Sequence, residues 1–164
     1  MKKNYKQQTI EESVLVLLDI RSAINVGAIF RTADAVGINK IYLVGITPRP
    51  TDQFGRIQKD IAKSALGAET WVPWEYEKES IPLFKKLKKD KYNIVALEQD
   101  KKSTDYREVK LSKKMAFILG QEVEGIDKKI LDMCDQVAEI PMSGKKESLN
   151  VSVACGVLLF RVFH

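Results

Sequence analysis

Three short polar clusters hold the side chains with which this chain could do chemistry. The first sets an amide and a guanidinium six residues apart in Asn25-Val26-Gly27-Ala28-Ile29-Phe30-Arg31. The second is Gly120-Gln121-Glu122, directly after an apolar run. The third is Ile140-Pro141-Met142-Ser143-Gly144-Lys145-Lys146-Glu147-Ser148-Leu149-Asn150, a Pro/Gly/Lys loop that feeds a nearly uncharged helical stretch. Polar groups buried without partners at such a helix start would cost about 1–3 kcal/mol each. Ser148 and Asn150 therefore cap backbone N–H groups, hold a ligand, or do both.

Other chemistry is excluded by the same inspection. The one histidine, His164, is the last residue, and there is no Cys/His cluster, so neither a metal centre nor a Ser-His-Asp hydrolase is expected. The chain has no Gly-x-Gly-x-x-Gly and no Gly-x-x-x-x-Gly-Lys-Ser/Thr phosphate loop. Cys134 and Cys155 lie in apolar stretches and read as buried free thiols of a reducing compartment. With no apolar run of roughly 18 residues and no signal peptide, a cytoplasmic protein without a membrane span is expected. A net charge of +5 over 164 residues allows a polyanionic partner without demanding one.

The elements that must position the three clusters follow from hydrophobic patterning. Nearly continuous apolar runs at 14–19, 40–44, 70–73, 92–97, 115–119 and 136–140 predict about six strands, buried on both faces as in a parallel sheet. Helical patterns near 25–37, 55–67, 78–90, 127–134 and 149–163 alternate with them, which predicts an α/β fold with flanking helices. Residues 1–12 read as a polar tail and 13–164 as one domain. Val26, Ile29, Phe30, Ala33 and Val36 form the core stripe of the first helix, with Asn25 as its expected cap. Arg31 lies off that stripe, where an ion pair with Asp34 on a wet face is the plain alternative to a functional role. Each polar cluster falls at a strand-to-helix junction, and ligands of open α/β sheets bind beyond the carboxyl ends of the strands.

In this order and near these separations, the clusters resemble the three motifs of the SPOUT superfamily, in particular its TrmH-like (SpoU) branch of RNA ribose 2′-O-methyltransferases. The resemblance covers residues 14–162, nearly the whole chain. It implies a C-terminal trefoil knot that holds S-adenosylmethionine, a feature that general folding rules would not suggest. By motif position, Arg31 matches the arginine implicated in activating the ribose hydroxyl, Asn25 the asparagine that positions it, and Glu122 the acidic residue of the second motif. Ser148 and Asn150 match polar residues that shape the catalytic pocket. Gly120, Ile140, Met142, Ser148 and Leu149 match cofactor-contacting positions, and Leu97 is a packing residue within reach of the adenosine. Pure capping by Ser148 and Asn150, a solvated Glu122 and a simple turn at Gly120 remain the alternatives. The resemblance implies an RNA methyltransferase acting on tRNA in preference to rRNA. A silent RNA-binding factor on the same fold and a base methyltransferase of another branch are the competing readings.

RNA contact needs positive surface. Arg56, Lys59 and Lys63 recur at i, i+3 and i+7, one expected helix face that with Arg49 would meet phosphates. The Lys85–Lys91 run reads instead as a solvated face. In the last helix Val151, Ala154, Cys155, Leu158 and Val162 line one side, while Val153, Val157 and Phe160 line another. A helix apolar nearly all round wants partners on both sides, so a homodimer through this helix is expected.

Overall fold

The side chains of the sheet alternate between two apolar layers. Leu15, Leu17, Phe117 and Leu119 point into one, where Val26, Ile29, Phe30 and Leu158 meet them. Val14, Val16, Ala116 and Ile118 point into the other, against Leu83, Phe84, Leu87 and Ile130. Helices on both faces explain why the strands read as continuous apolar runs.

The structure, a computed structural model, describes residues 10–164. Among the described residues the order is β1 (Glu12–Leu18), α1 (Ala23–Val36), β2 (Lys40–Val44), α2 (Lys59–Ala65), α3 (Ala68–Trp71), β3 (Trp74–Glu77), α4 (Ser80–Lys89), β4 (Asn93–Leu97), β5 (Thr104–Asp105), β6 (Lys114–Gly120), α5 (Lys128–Leu131), β7 (Gln136–Glu139) and α6 (Val151–Phe163). The sheet runs β3-β2-β1-β6-β4-β7-β5, and all its strand pairings are parallel. Every carboxyl end therefore opens on the same edge. β6 is laid between β1 and β4, and β7 between β4 and β5, so the C-terminal third is inserted among strands that precede it.

The sheet has seven strands rather than about six, because the two-residue β5 is too short to carry periodicity. The strand expected at 70–73 is not there. Leu66 (φ 53) and Gly67 (φ 97) turn the chain, Thr70 N–H and its hydroxyl both donate to the Gly67 carbonyl at 2.9 and 2.7 Å, and residues 68–71 close into α3. Pairing begins at Trp74, opposite Ile41. The helix expected from residue 55 starts at Lys59. Before it, the Asp52 carboxylate accepts from the Phe54 and Arg56 N–H groups at 2.8 and 3.0 Å, and Gln58 caps α2.

Of the polar tail expected at 1–12, residues 1–9 lie outside the described residues, and Glu12 already belongs to β1. Cys155 is fully buried and Cys134 half-buried, both as free thiols. Burial pushes each up to about 12. No helix of the described residues is long and apolar enough to cross a membrane.

Candidate active site

The site is assembled where β1, β6 and β7 end. After Leu18 the chain turns through Asp19, held at φ 54 with its carboxylate accepting from Ile46 N–H at 3.1 Å. The next N–H, of buried Ile20, donates to the Thr47 hydroxyl at 3.1 Å. Thr47 is 3 % exposed, and its Oγ1 lies 2.9 Å from the Leu17 carbonyl and 2.8 Å from that of Val44. These bonds lock the ends of β1 and β2 together and fix where α1 begins. Ser22, not Asn25, is the N-cap of α1, its hydroxyl accepting from Asn25 N–H at 3.2 Å. Both residue types cap well, and the choice of Ser22 releases the Asn25 amide for other bonds.

That amide joins the three polar clusters. Asn25 Nδ2 donates to Glu122 Oε1 at 3.0 Å, and Asn25 Oδ1 accepts from Asn150 Nδ2 at 3.2 Å. Glu122 Oε1 also accepts from Val151 N–H at 3.3 Å, at the start of α6. Asn150 caps that helix, its Oδ1 accepting from Ser152 N–H at 2.9 Å. The carboxylate is favoured there by the positive end of α6. Capping thus falls to Asn150, and Ser148 is exposed.

The loop that carries Glu122 is folded by contacts the sequence did not announce. Glu98 Oε2 accepts from Ile126 N–H at 2.8 Å, and Gly125, at φ 67, donates its N–H to the Gln121 carbonyl at 3.0 Å. The absent side chain of Gly120 makes room for Ile126, whose Cγ1 would lie 2.4 Å from a Cβ. Glu98 was findable only as a carboxylate placed immediately after the apolar run of β4.

Beside the cluster is a cavity of about 300 Å³. Leu97, Gly120, Ile140, Met142, Ser148 and Leu149, the six residues expected to touch a cofactor, all line it. Glu98, Glu122, Glu124, Glu139 and Glu147 also line it, with no lysine or arginine among the described residues that do. Such a wall suits a ligand with a positive charge and an apolar body. A smaller cleft of about 90 Å³ shares Gln121, Glu122, Val123 and Val151 with it and adds Ile20, Arg21, Ser22 and Asn25.

Arg31 is not brought to this cluster within one chain. It is exposed, and among the described residues no hydrogen bond or ion pair holds it. Six residues along α1 place it about 9 Å from Asn25 along the axis and about 120° round it. The alternative pair with Asp34 does not form either; Asp34 instead accepts from Trp71 Nε1 at 2.8 Å.

The basic stripe is also rearranged. Arg56 precedes α2 and is paired with Asp52 at 2.6 Å, so only Lys59 and Lys63 share the helix. Arg49 stacks over Tyr76 at 4.2 Å and lines a separate cleft with Arg56. The lysines of α4 lie on the opposite face of the sheet from α1, α2 and α6.

A cavity at the carboxyl edge of a parallel sheet, closed by loops from several strand ends, defines a ligand-binding α/β domain. The chain belongs to the SpoU rRNA Methylase family, whose model matches residues 12–160. It is 31 % identical over 159 residues to a Staphylococcus saprophyticus protein assigned to the TrmH family of tRNA/rRNA methyltransferases, an alignment covering 97 % of this chain and 61 % of that one. The chain thus spans about three fifths of the length of the curated relatives it matches. It superposes on an AdoMet-bound rRNA methyltransferase from Sinorhizobium meliloti with a TM-score of 0.82 at 28 % identity, covering 92 % of this chain and 55 % of that one. An RNA 2′-O ribose methyltransferase gives a TM-score of 0.80 at 25 % identity, with 99 % and 59 % covered.

Proposed function

We propose that this chain is an S-adenosylmethionine-dependent RNA methyltransferase of the cytoplasm that modifies a ribose 2′-hydroxyl of tRNA, the favoured substrate, or of rRNA. The observation that carries the reading is the joining of Asn25, Glu122 and Asn150 beside the acidic cavity, whose wall includes Glu122. The lining fits the cofactor: a wall with five glutamates suits a sulfonium and an ammonium, while Leu97, Ile140 and Leu149 offer apolar wall to an adenosine. When bound, the cofactor supplies an electrophilic methyl group on sulfur.

The remaining chemistry falls to the chain's own residues. Asn25, held from both ends by Glu122 and Asn150, orients the acceptor hydroxyl, and Ser148 lines the neighbouring acidic cavity. Fixed orientation of this kind accounts for a large part of catalysis. A guanidinium stays protonated, so Arg31 acts by charge and phosphate contact rather than as a free base. Arg49, Arg56, Lys59 and Lys63 form the phosphate-contacting edge.

Two further features belong to the reading. The insertion of β7 between β4 and β5 supports the C-terminal trefoil knot. On α6, Val151, Cys155, Leu158, Leu159 and Val162 are buried, while Val153 and Phe160 remain 51 % and 47 % exposed. That outer face supports a homodimer, and since α1 packs on α6, a second copy there lies beside the helix that carries Arg31. The testing experiment is methyl transfer from labelled S-adenosylmethionine to unmodified tRNA transcripts, followed by digestion to nucleosides. Label in a 2′-O-methyl nucleoside is expected; label in a base, or none, overturns the reading.

A further inference from the structure

We propose that Arg21 clamps the phosphodiester adjoining the target ribose. The inference rests on the RNA methyltransferase reading and adds to it a residue outside the three motif clusters. Arg21 lines the small cleft together with Asn25 and Glu122, and that cleft shares the wall Gln121, Glu122, Val123 and Val151 with the acidic cavity. The two clefts are therefore neighbours, which sets an acceptor in the small one next to a donor in the large one.

The arginines of the described residues differ in what holds them. Arg56 and Arg107 are paired with Asp52 and Asp105, Arg49 lies over Tyr76, and Arg161 is in the field of Asp105. Among the described residues Arg21 and Arg31 have no hydrogen-bond, ion-pair or ring partner, and of these two only Arg21 lines the cleft with Asn25. Glu122, the carboxylate of that cleft, is engaged by Asn25 and Val151 instead. The backbone around Arg21 is fixed on both sides, by buried Ile20 on Thr47 and by Ser22 as the cap of α1. The first turn of α1 carries no acidic residue to compete for the guanidinium.

A preset backbone with an unpaired guanidinium beside a hydroxyl-orienting amide fits one substrate part best. The planar fork of arginine matches two oxygens of a phosphate, and a ribose 2′-hydroxyl in RNA stands next to its own 3′-phosphate. Asn25 then orients the hydroxyl while Arg21 holds the phosphate and sets the distance to the methyl donor.

The test compares full-length Arg21→Ala and Arg21→Lys with the wild type on a pool of unmodified tRNA transcripts and labelled S-adenosylmethionine, between about 50 and about 200 mM salt. Arg21→Ala is expected to lose about tenfold to a hundredfold in kcat/KM. Its salt slope should flatten by about 0.7, the share of one single-stranded phosphate contact. S-adenosylmethionine affinity by calorimetry should stay unchanged, and Arg21→Lys should recover part of the rate, as a charge without the fork. Arg21→Ala within twofold of wild type, an unchanged salt slope, or lost cofactor affinity overturns the clamp alone. Absence of transfer by the wild type overturns the methyltransferase reading and the clamp with it.

Discussion

Replacing Glu122 tests the joint that holds the site together. One carboxylate oxygen accepts from Asn25 Nδ2 at 3.0 Å and from Val151 N–H at 3.3 Å, at the first turn of a 13-residue helix. A charge at a helix N-terminus contributes about 0.3–1 kcal/mol. Hydrogen bonds to a charged group contribute about 1.5–3 kcal/mol, and the exposure of Glu122 puts them below that range. Glu122→Ala is therefore expected to cost about 1–2 kcal/mol, which lowers the melting temperature by about 2–8 °C in a chain of this size. Glu122→Gln keeps an acceptor and loses only the charge, so its cost is about 0.5 kcal/mol. Thermal unfolding followed by circular dichroism measures both. In methyl transfer the alanine variant should fall by about a hundredfold, because Asn25 is released from one of its two holds. An alanine variant that melts within about 1 °C of wild type, or a glutamine variant as unstable as the alanine one, would refute this account of the joint.

Gly27→Ala places a Cβ 2.0 Å from Ser64 Oγ and 2.4 Å from the Ile61 carbonyl, where α2 crosses α1. Overpacking of this kind costs about 1–3 kcal/mol, visible as a lower urea midpoint, and it displaces the helix that carries Lys59 and Lys63. Light scattering should give twice the 18.6 kDa chain mass at micromolar concentration, and Phe160→Glu on the exposed face of α6 should return it to one. Both thiols are pushed up to about 12 by burial. Above the ordinary thiol value of about 9 the unfolded chain has given up protons that the folded chain keeps, so stability should fall as pH rises from about 9 towards about 12. Denaturant midpoints across that range check the sign.

The stripe Val26, Ile29, Phe30 and Ala33 was legible in the sequence because burial repeats with the helical turn, and each of the four is fully buried. The cavity wall was legible through motif positions rather than periodicity. What the sequence concealed were decisions made between distant segments. Ser22 and Asn25 can each cap α1, and the pull of Glu122, 97 residues away, accompanies the choice of Ser22. Thr70 and Val72 favour a strand by type, yet the left-handed turn at Leu66 and Gly67 commits them to α3 and its border. Arg56 kept helical spacing with Lys59 and Lys63 but is bound by Asp52 in the preceding turn. Arg21 and Glu98 carry no pattern of their own; only the meeting of strand ends shows what they face.

The acidic cavity at the ends of β4, β6 and β7 is the proposed seat of the methyl donor. Calorimetric titration of S-adenosylmethionine into the wild-type chain and into Leu149→Arg tests this most directly, since Leu149 lines that cavity and its replacement puts a cation where the cofactor's charge belongs. Saturable binding by the wild type, lost in Leu149→Arg while the fold is retained, is the result predicted. No binding by the wild type at millimolar ligand, or binding untouched by Leu149→Arg, would contradict it.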